Sequence, residues 1–194
     1  LVGSEMCIRD RLGVQSIVNS MGVFVSAAFA AVNRIDDFAY MPQQNIAHAM
    51  TALMAQNKGA KKTDRIKAAF RCGMKIELFY GIFIFFVCFF LAHPLMQLFS
   101  NDPVVCKHGV TYLKLISLMY LFPAVTNGVQ GYFRGIGDLK ITLISSFVNM
   151  SVRVIFAAVL VFHFSLQIEA LPFSYLAGWI GMLLAEVPLL LRKF

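Results

Sequence analysis

Most residues of this sequence that could do chemistry fall in one stretch, roughly Val25 to Gln56. It holds Asn33, Arg34, Asp36 and Asp37, then Pro42, then Gln43, Gln44, Asn45 and His48, among Ala, Val, Ile, Phe and Met. Neighbouring carboxylates such as Asp36 and Asp37 can take up a proton or a cation; holding a divalent metal would call for a second acidic cluster facing them. His48 can relay a proton or hydrogen-bond between helices. Further on, Asn127 and Gln130 add amides, and Arg134 and Arg153 add fixed positive charge. Asp36, Asp37, Gln44, His48, Asn127 and Gln130 are therefore the candidates for an ion or substrate pathway. Arg34, Arg153 and Arg134 are the candidates for charge pairing. No catalytic residue or metal ligand is assigned: the chain has no Walker loop, GxSxG, HExxH or metal-ligand cluster.

The setting of these residues limits what they can be. Of 194 residues 59% are hydrophobic and 19 are Phe, and the mean hydropathy is +0.72. Soluble domains are nearer ~45–50% apolar, so an integral membrane protein is expected. A net charge of +7 raises nucleic acid as a partner. That reading fails, because the basic residues gather in one short connection and leave no basic domain over. Cys7, Cys72, Cys88 and Cys106 lack CxxC spacing and read as free thiols rather than a disulfide or zinc framework.

The segment Leu1–Arg11 (LVGSEMCIRDR) fits neither a helix nor a signal peptide. It is expected to be a non-native, adapter-derived leader, with the fold beginning at Leu12 on a truncated first helix that Gly22 ends. The polar stretch Val25–Gln56 predicts a second helix of nearly 50 Å, long enough to project beyond a membrane. At 100° per residue, Asn33, Asp37, Tyr40, Gln44, His48 and Thr51 fall in a stripe about 80° wide. Four more helices are predicted, over Ile76–Phe99, Val104–Phe133 with Pro123 inside it, Leu139–Phe164 and Ala170–Leu191. The third is apolar on every face and is expected to meet lipid. Pro123, Asn127, Gln130 and Arg134 share one face of the fourth, and Thr142, Ser146, Asn149 and Arg153 one face of the fifth. Helices three and six carry no polar stripe, and Glu77 and Glu186 are placed at the inner interface. Polar groups in a lipid-crossing segment usually face a cavity or a bundle interior, so a wet inner surface is expected.

Charge sets an expected topology. Lys58, Lys61, Lys62, Arg65, Lys67, Arg71 and Lys75 crowd the connection after the second helix. Arg134 and Lys140 occupy the next connection on that side, and Arg192 and Lys193 the C-terminus. The opposite side has little beyond Lys107 and Lys114. Cytoplasmic connections carry the excess, which puts the C-terminus inside.

The run AAFAAVNRIDDFAYMPQQNIAHAMTALMAQNKGA resembles the eighth helix and following loop of the MATE (multidrug and toxic compound extrusion) family. The resemblance rests on Arg34, Ile35, Asp36, Phe38, Met41, Pro42, Gln56, Asn57, Gly59 and Ala60. GYFRGIGD (Gly131–Asp138) is similar to the family's GxxRGxGD, and VRVIFAAVL around Arg153 to its eleventh helix. The resemblance implies an all-α integral membrane protein with about five and a half transmembrane helices, one lobe of a twelve-helix, two-lobe transporter. Residues 12–194 would be the C-terminal six-helix lobe, its first helix truncated, and the N-terminal lobe of the same polypeptide would be its partner. The implied activity is Na⁺- or H⁺-coupled antiport of organic, often cationic, drugs or toxic compounds, with no cofactor beyond the coupling ion. A multi-pass protein of the cell (inner) membrane is implied, in contact with the lipid bilayer and small organic cations and with no nucleic acid. Two departures stand out. Where some members carry an acidic cation ligand mid-way along the tenth helix, this chain has Phe122-Pro123-Ala124. The family's QNxGAG loop becomes Gln56-Asn57-Lys58-Gly59-Ala60-Lys61, and Lys61 is expected to add inward charge only.

Alternatives from other classes are a lipid-linked oligosaccharide flippase of the same superfamily, a metal-dependent intramembrane prenyltransferase-like enzyme, and a non-catalytic membrane scaffold. The flippase calls for a more cationic cavity and the transferase for a second acidic cluster. The scaffold leaves the polar stripes unexplained.

Overall fold

A computed structural model describes residues 14–163 and 170–193. The predicted leader, Leu1–Arg11, lies outside the described residues. A short helix, α1 (residues 14–19), ends in a turn at Gly22. With φ of 108° and ψ of 166°, Gly22 takes a backbone conformation essentially reserved for glycine, and the chain restarts there as α2 (Val23–Gly59). Then follow α3 (Thr63–Phe90), α4 (Ala92–Gln97), α5 (Pro103–Ser117), α6 (Leu121–Gly135), α7 (Leu139–Phe162) and α8 (Ala170–Lys193). The described residues contain no strand. α3, α7 and α8 are each long and apolar enough to cross a membrane, and α5 with α6 makes a further, bent span. α2 is long enough at 37 residues, although its polar side chains lower its hydropathy.

Two sequence expectations need correction. The connection expected to carry Lys58 to Lys75 is a turn of three residues, 60–62, and α3 runs from Thr63 to Phe90, with α4 following separately, rather than from near Ile76 to Phe99. The reason is amphipathicity: Ile66, Ala69, Phe70 and Met74, spaced three or four apart, pack into one apolar cluster with Met50 and Met54 of α2. Arg65, Arg71 and Lys75 stay on the exposed side. The helical hairpin therefore runs well past its apolar stretch. The second correction concerns the fourth helix, which is two helices meeting at 51°. Pro123 has no N–H to give the carbonyl of Met119, and its ring crowds that carbonyl. The chain breaks over residues 118–120 with tighter bonds, Met119 N–H to Ile116 O at 2.9 Å and Tyr120 N–H to Ser117 O at 3.1 Å. Pro123 then sits in the first turn of α6, where the missing donor costs nothing.

Pro42, by contrast, leaves α2 unbroken. Near it, the Tyr80 hydroxyl of α3 donates to the carbonyl of Ala39 at 3.2 Å. The neighbouring helix thus places a donor on the carbonyl next to that of Phe38, the one that Pro42 leaves without its backbone partner.

α6 is the centre of the bundle. It is buried along nearly its whole length, from Pro123 to Gly135. α2 and α3 pack on one side of it, and the α7–α8 hairpin docks on the other. Close approach depends on small residues. A Cβ on Gly131 would lie 2.9 Å from the carbonyl oxygen of Ala47, and one on Gly135 would lie 2.7 Å from the Cβ of Met54. The Thr51 hydroxyl adds a link, donating to Ala47 O at 2.8 Å and standing 3.2 Å from Gly131 O. The outer surface is apolar: Phe79, Phe83, Phe86 and Phe90 project from α3, and Ile144, Phe147, Ile155 and Leu184 from the hairpin. Such continuous apolar exposure fits a lipid-facing wall.

Both ends on the Lys-rich side close in the same way. At the end of α6, Gly137 has φ of 75°; its N–H bonds Arg134 O at 3.0 Å and that of Asp138 bonds Phe133 O at 2.9 Å. At the end of α2 the equivalent bonds run from Lys61 to Lys58 O at 3.0 Å and from Lys62 to Asn57 O at 2.9 Å. This double closure needs a left-handed residue, normally glycine. Lys61 occupies it with φ of 55°, so this substitution carries backbone strain as well as charge. Lys58 ties the two ends together by donating to the carbonyl of Ile136, at the negative end of α6.

Two stability effects follow. In the intact polypeptide in detergent, Lys61→Gly should relieve about 1 kcal/mol of left-handed strain and raise Tm by roughly 2–4 °C. Gly131→Ala should lower stability by about 1–3 kcal/mol, because the atom in the way is backbone and cannot turn aside. Thermal unfolding of the two variants beside the wild type checks both; an unchanged Tm for Gly131→Ala would contradict the packing described.

Candidate functional site

The sequence candidates divide into two groups. The first lies inside the lobe, where α2 faces the α5–α6 break and α6. Ile35 and Ala39 of α2 are buried, and the wheel turns Asp36 toward the same side. There Asp36 accepts a hydrogen bond from the hydroxyl of Tyr120. One turn on, the Tyr40 hydroxyl donates to Asn127 Oδ1 of α6 at 3.2 Å. Along α6, Gln130 Oε1 accepts from Arg134, and Gln130 Nε2 reaches Ser146 Oγ of α7 at 3.3 Å. Asn127 and Gln130 are both buried. Arg153 of α7 stacks its guanidinium over the ring of Tyr175 on α8, 3.7 Å from the centroid, a cation–π contact that keeps the charge inside the hairpin.

The second group faces outward. Arg34, Gln44 and His48 are exposed, and Asp37 is half-buried beside them. They share the exposed face of α2 with Phe38, 73% exposed, and Met41, 58% exposed. The α2 stripe is thus brought together only in part: Tyr40 and Thr51 turn toward α6, while Gln44 and His48 are on open surface. Gln43, not Gln44, is the amide that α2 buries.

Sequence reasoning missed several groups. Glu77 and Glu186, placed at the inner interface by the sequence, are both fully buried. Helices α3 and α8 therefore do carry interior polar groups. Glu186 Oε1 accepts from the hydroxyl of Ser145 on α7. Tyr120 was hidden because its role depends on the break before Pro123. A carboxylate flanked on both sides by apolar residues, as in LLAEVPLL, was the available signal for Glu186. Among the described residues no group of three or more His, Cys, Asp or Glu could hold a metal ion. What the arrangement offers is buried carboxylates, each able to exist with or without one positive charge, and an amide-lined exposed face beside them.

Comparison with known proteins places this arrangement. The MatE family model matches residues 12–159. The chain is 25% identical over 175 residues to the probable multidrug resistance protein NorM of Thermotoga maritima, covering 88% of this chain and 36% of that protein. It is 26% identical over 173 residues to the probable multidrug resistance protein YoeA of Bacillus subtilis, covering 89% and 36%. A FAD transporter of Shewanella oneidensis is 26% identical over 121 residues, 60% of this chain and 27% of that one. The chain thus spans about a third of the length of these curated relatives. The fold matches an outward-facing multidrug resistance MATE family transporter of the MOP superfamily with a TM-score of 0.91 at 12% identity, over 99% of this chain and 43% of that one. An inward-facing structure from the same family gives 0.84 at 17% identity, over 96% and 44%. The family match over most of its length, the bent helix pair around a buried polar interior and the apolar outer wall together make this chain a member of the MatE family, a multi-pass membrane protein of a transporter family and not an enzyme.

Proposed function

We propose that the polypeptide containing this chain is an antiporter, driven by Na⁺ or H⁺, that exports organic and often cationic compounds. This chain would be its C-terminal lobe and would require the N-terminal lobe to transport, because alternating access needs two bodies to move against each other. The observation that carries the reading is the contrast between two exposed helix faces. That of α3 is Phe79, Phe83, Phe86 and Phe90, fit for acyl chains; that of α2 mixes Arg34, Phe38, Met41, Gln44, Asn45 and His48. Aromatic and thioether side chains interleaved with amides suit a surface that holds varied organic molecules in water. Asp36 and Asp37 supply the negative charge that a cationic substrate would compensate. The relatives' names as multidrug resistance proteins point the same way.

The basic residues from Lys58 to Lys75 support an inward position for the α2–α3 tip, with the C-terminus on the cytoplasmic side of the inner membrane. A second reading, export of a flavin nucleotide, is favoured by the likeness to the FAD transporter; loss of extracellular flavin on deletion would select it.

Two outcomes are expected. Asp36→Asn keeps an acceptor for Tyr120 and removes the charge. A hydrogen bond to a charged group exceeds a neutral one by about 1 kcal/mol, so ethidium export by the intact protein should fall roughly fivefold or more at equal expression. Export at the wild-type rate would remove Asp36 from the pathway. Cys72, exposed on α3, should react with a membrane-impermeant maleimide in inside-out vesicles and not in whole cells, once the other cysteines are replaced. Labelling in whole cells would reverse the topology.

A further inference from the structure

Among the carboxyl groups of the described helices, Asp36, Glu77 and Glu186 turn into the bundle. Tyr120 donates to the first and Ser145 to the third. Glu77 differs from both: it is 0% exposed, and neither of its oxygens has a hydrogen-bond partner. Its neighbourhood is a three-helix junction. One turn beyond it on α3, a Cβ on Gly81 would lie 3.5 Å from Gln43 Nε2 of α2 and 3.1 Å from the Cβ of Ala124 of α6. One turn before Glu77, Met74 meets the position where a Cβ on Gly128 would lie, so Glu77 is bracketed between the Ala124 and Gly128 levels of α6, at the turn that carries Asn127 and one helical turn from Gln43. Gln43 Nε2 and Asn127 Nδ2 are likewise buried without a hydrogen-bond partner, while Asn127 Oδ1 holds the Tyr40 hydroxyl.

Buried polar atoms are nearly always satisfied, and those that are not call for an occupant. Here four such atoms come from three helices, and they include a full carboxylate. Among the described residues, no Lys or Arg side chain donates to Glu77. Lys75, two residues before it, is exposed. Of the titratable groups on the elements packed on α3, α2 carries Tyr40 and the exposed His48, with Arg34, Asp36 and Asp37 farther toward its start and Lys58 at its tip, and α6 carries Tyr132 and Arg134. Arg134 is engaged with Gln130. α5 brings Lys114, which lies over the Phe89 ring at 5.7 Å, near the far end of α3, and α4 brings the exposed His93. On α3 itself, Tyr80 is committed to Ala39. An ionised carboxylate cannot stay in such a place without a positive charge supplied to it.

We propose that Glu77, with the amides of Gln43 and Asn127 and the hydroxyl of Tyr40 on the facing turns of α2 and α6, is where this lobe takes up one monovalent cation, a proton or a sodium ion. An amide can present either its oxygen or its nitrogen, so Gln43 can turn its carbonyl to a sodium ion or its N–H groups to a bare carboxylate. Asn127 does the same if Tyr40 lets go. Gln43 lies between Pro42 and the exposed Gln44 on α2. A change of charge at Glu77 is therefore transmitted to the proline step and to the outward polar face. The role of this cation as the driving ion rests on the transport reading above; its binding does not.

The test uses the intact polypeptide, purified and in proteoliposomes. Two arms separate the cations: heat released on adding sodium chloride at alkaline pH, and the infrared carbonyl band of a buried protonated carboxyl as pH is lowered. The wild type should show at least one signal. Glu77→Gln should abolish it and make ethidium export indifferent to the corresponding gradient while ethidium binding persists. Glu77→Asp, which keeps a carboxylate at shorter reach, should restore the signal and guards against simple misfolding. Unaltered signals and gradient dependence in Glu77→Gln would overturn the proposal, as would their loss only in Asp36→Asn or Glu186→Gln. A Glu77-dependent signal in a protein that exports no organic compound under any gradient would sink the transport reading and leave the site standing.

Discussion

The whole lobe depends on how closely α2 can lie against α6. In a bilayer, apolar side chains gain nothing by leaving lipid for protein, so helices hold together through dispersion contact and a few hydrogen bonds. That contact requires backbones to meet. Gly131 and Gly135 provide the flat strip, Ala47 and Thr51 rest on it, and Thr51 adds a hydroxyl between the two backbones. The positions of Tyr40, Gln43 and Asp36 relative to Asn127 and Tyr120 are consequences of this strip, because all of them project from the same two rigid helices and the break between α5 and α6. Widening it by one methyl group would move every one of those pairs.

Prolines at 42 and 123 show how the same residue serves opposite ends. Pro42 leaves α2 unbroken, with a hydroxyl of α3 on the carbonyl beside the one it frees. Pro123 has a preceding stretch that can tighten into shorter-range bonds, so the chain turns by 51° there. The bend is what delivers Tyr120 to Asp36. A straight helix would have carried that hydroxyl past the carboxylate. Similar economy appears at the Lys-rich end, where α2 and α6 finish in the same left-handed closure and Lys58 joins one to the other. Lys61 accepts the conformational strain that glycine escapes at the matching position of α6, which reveals that a residue of the wrong type can be tolerated when the two backbone bonds around it are kept.

The interior is polar in a particular way. Glu186 is met by Ser145, Arg153 by the face of Tyr175, and Gln130 by Arg134 and Ser146. These contacts cross between α6, α7 and α8 and bind the hairpin to the core. The junction of Glu77, Gln43 and Asn127 on the other side of α6 is not closed in that manner. Glu186 Oε2, Asn149 Oδ1 and Thr142 Oγ1 on the hairpin side are also buried without a hydrogen-bond partner, but among the described residues only at Glu77 does a whole buried carboxyl group lack one. The exposed polar face of α2 adjoins the Glu77 side.

Much of this was open to reading from the residues in order. Apolar runs of membrane length, the crowd of lysines after α2, the glycine turn after Arg134 and the RIDxF…MP pattern all depend on neighbours in sequence, and local chemistry is enough to interpret them. The membrane fold, the family and the helix ends near Gly22 and Gly135 came from that. What required the folded chain were relations between distant segments. Gln43 and Gln44 are equivalent on paper, and only the place of α3 and α6 makes one buried and the other open. Glu77 looked like an interface residue because lysine stands two places before it; the packing of α2 and α6 over that turn of α3 put it inside. A wheel drawn for one helix shows which side chains share a face, but which face meets protein, lipid or water is settled by the other helices, and no period within a single segment encodes it.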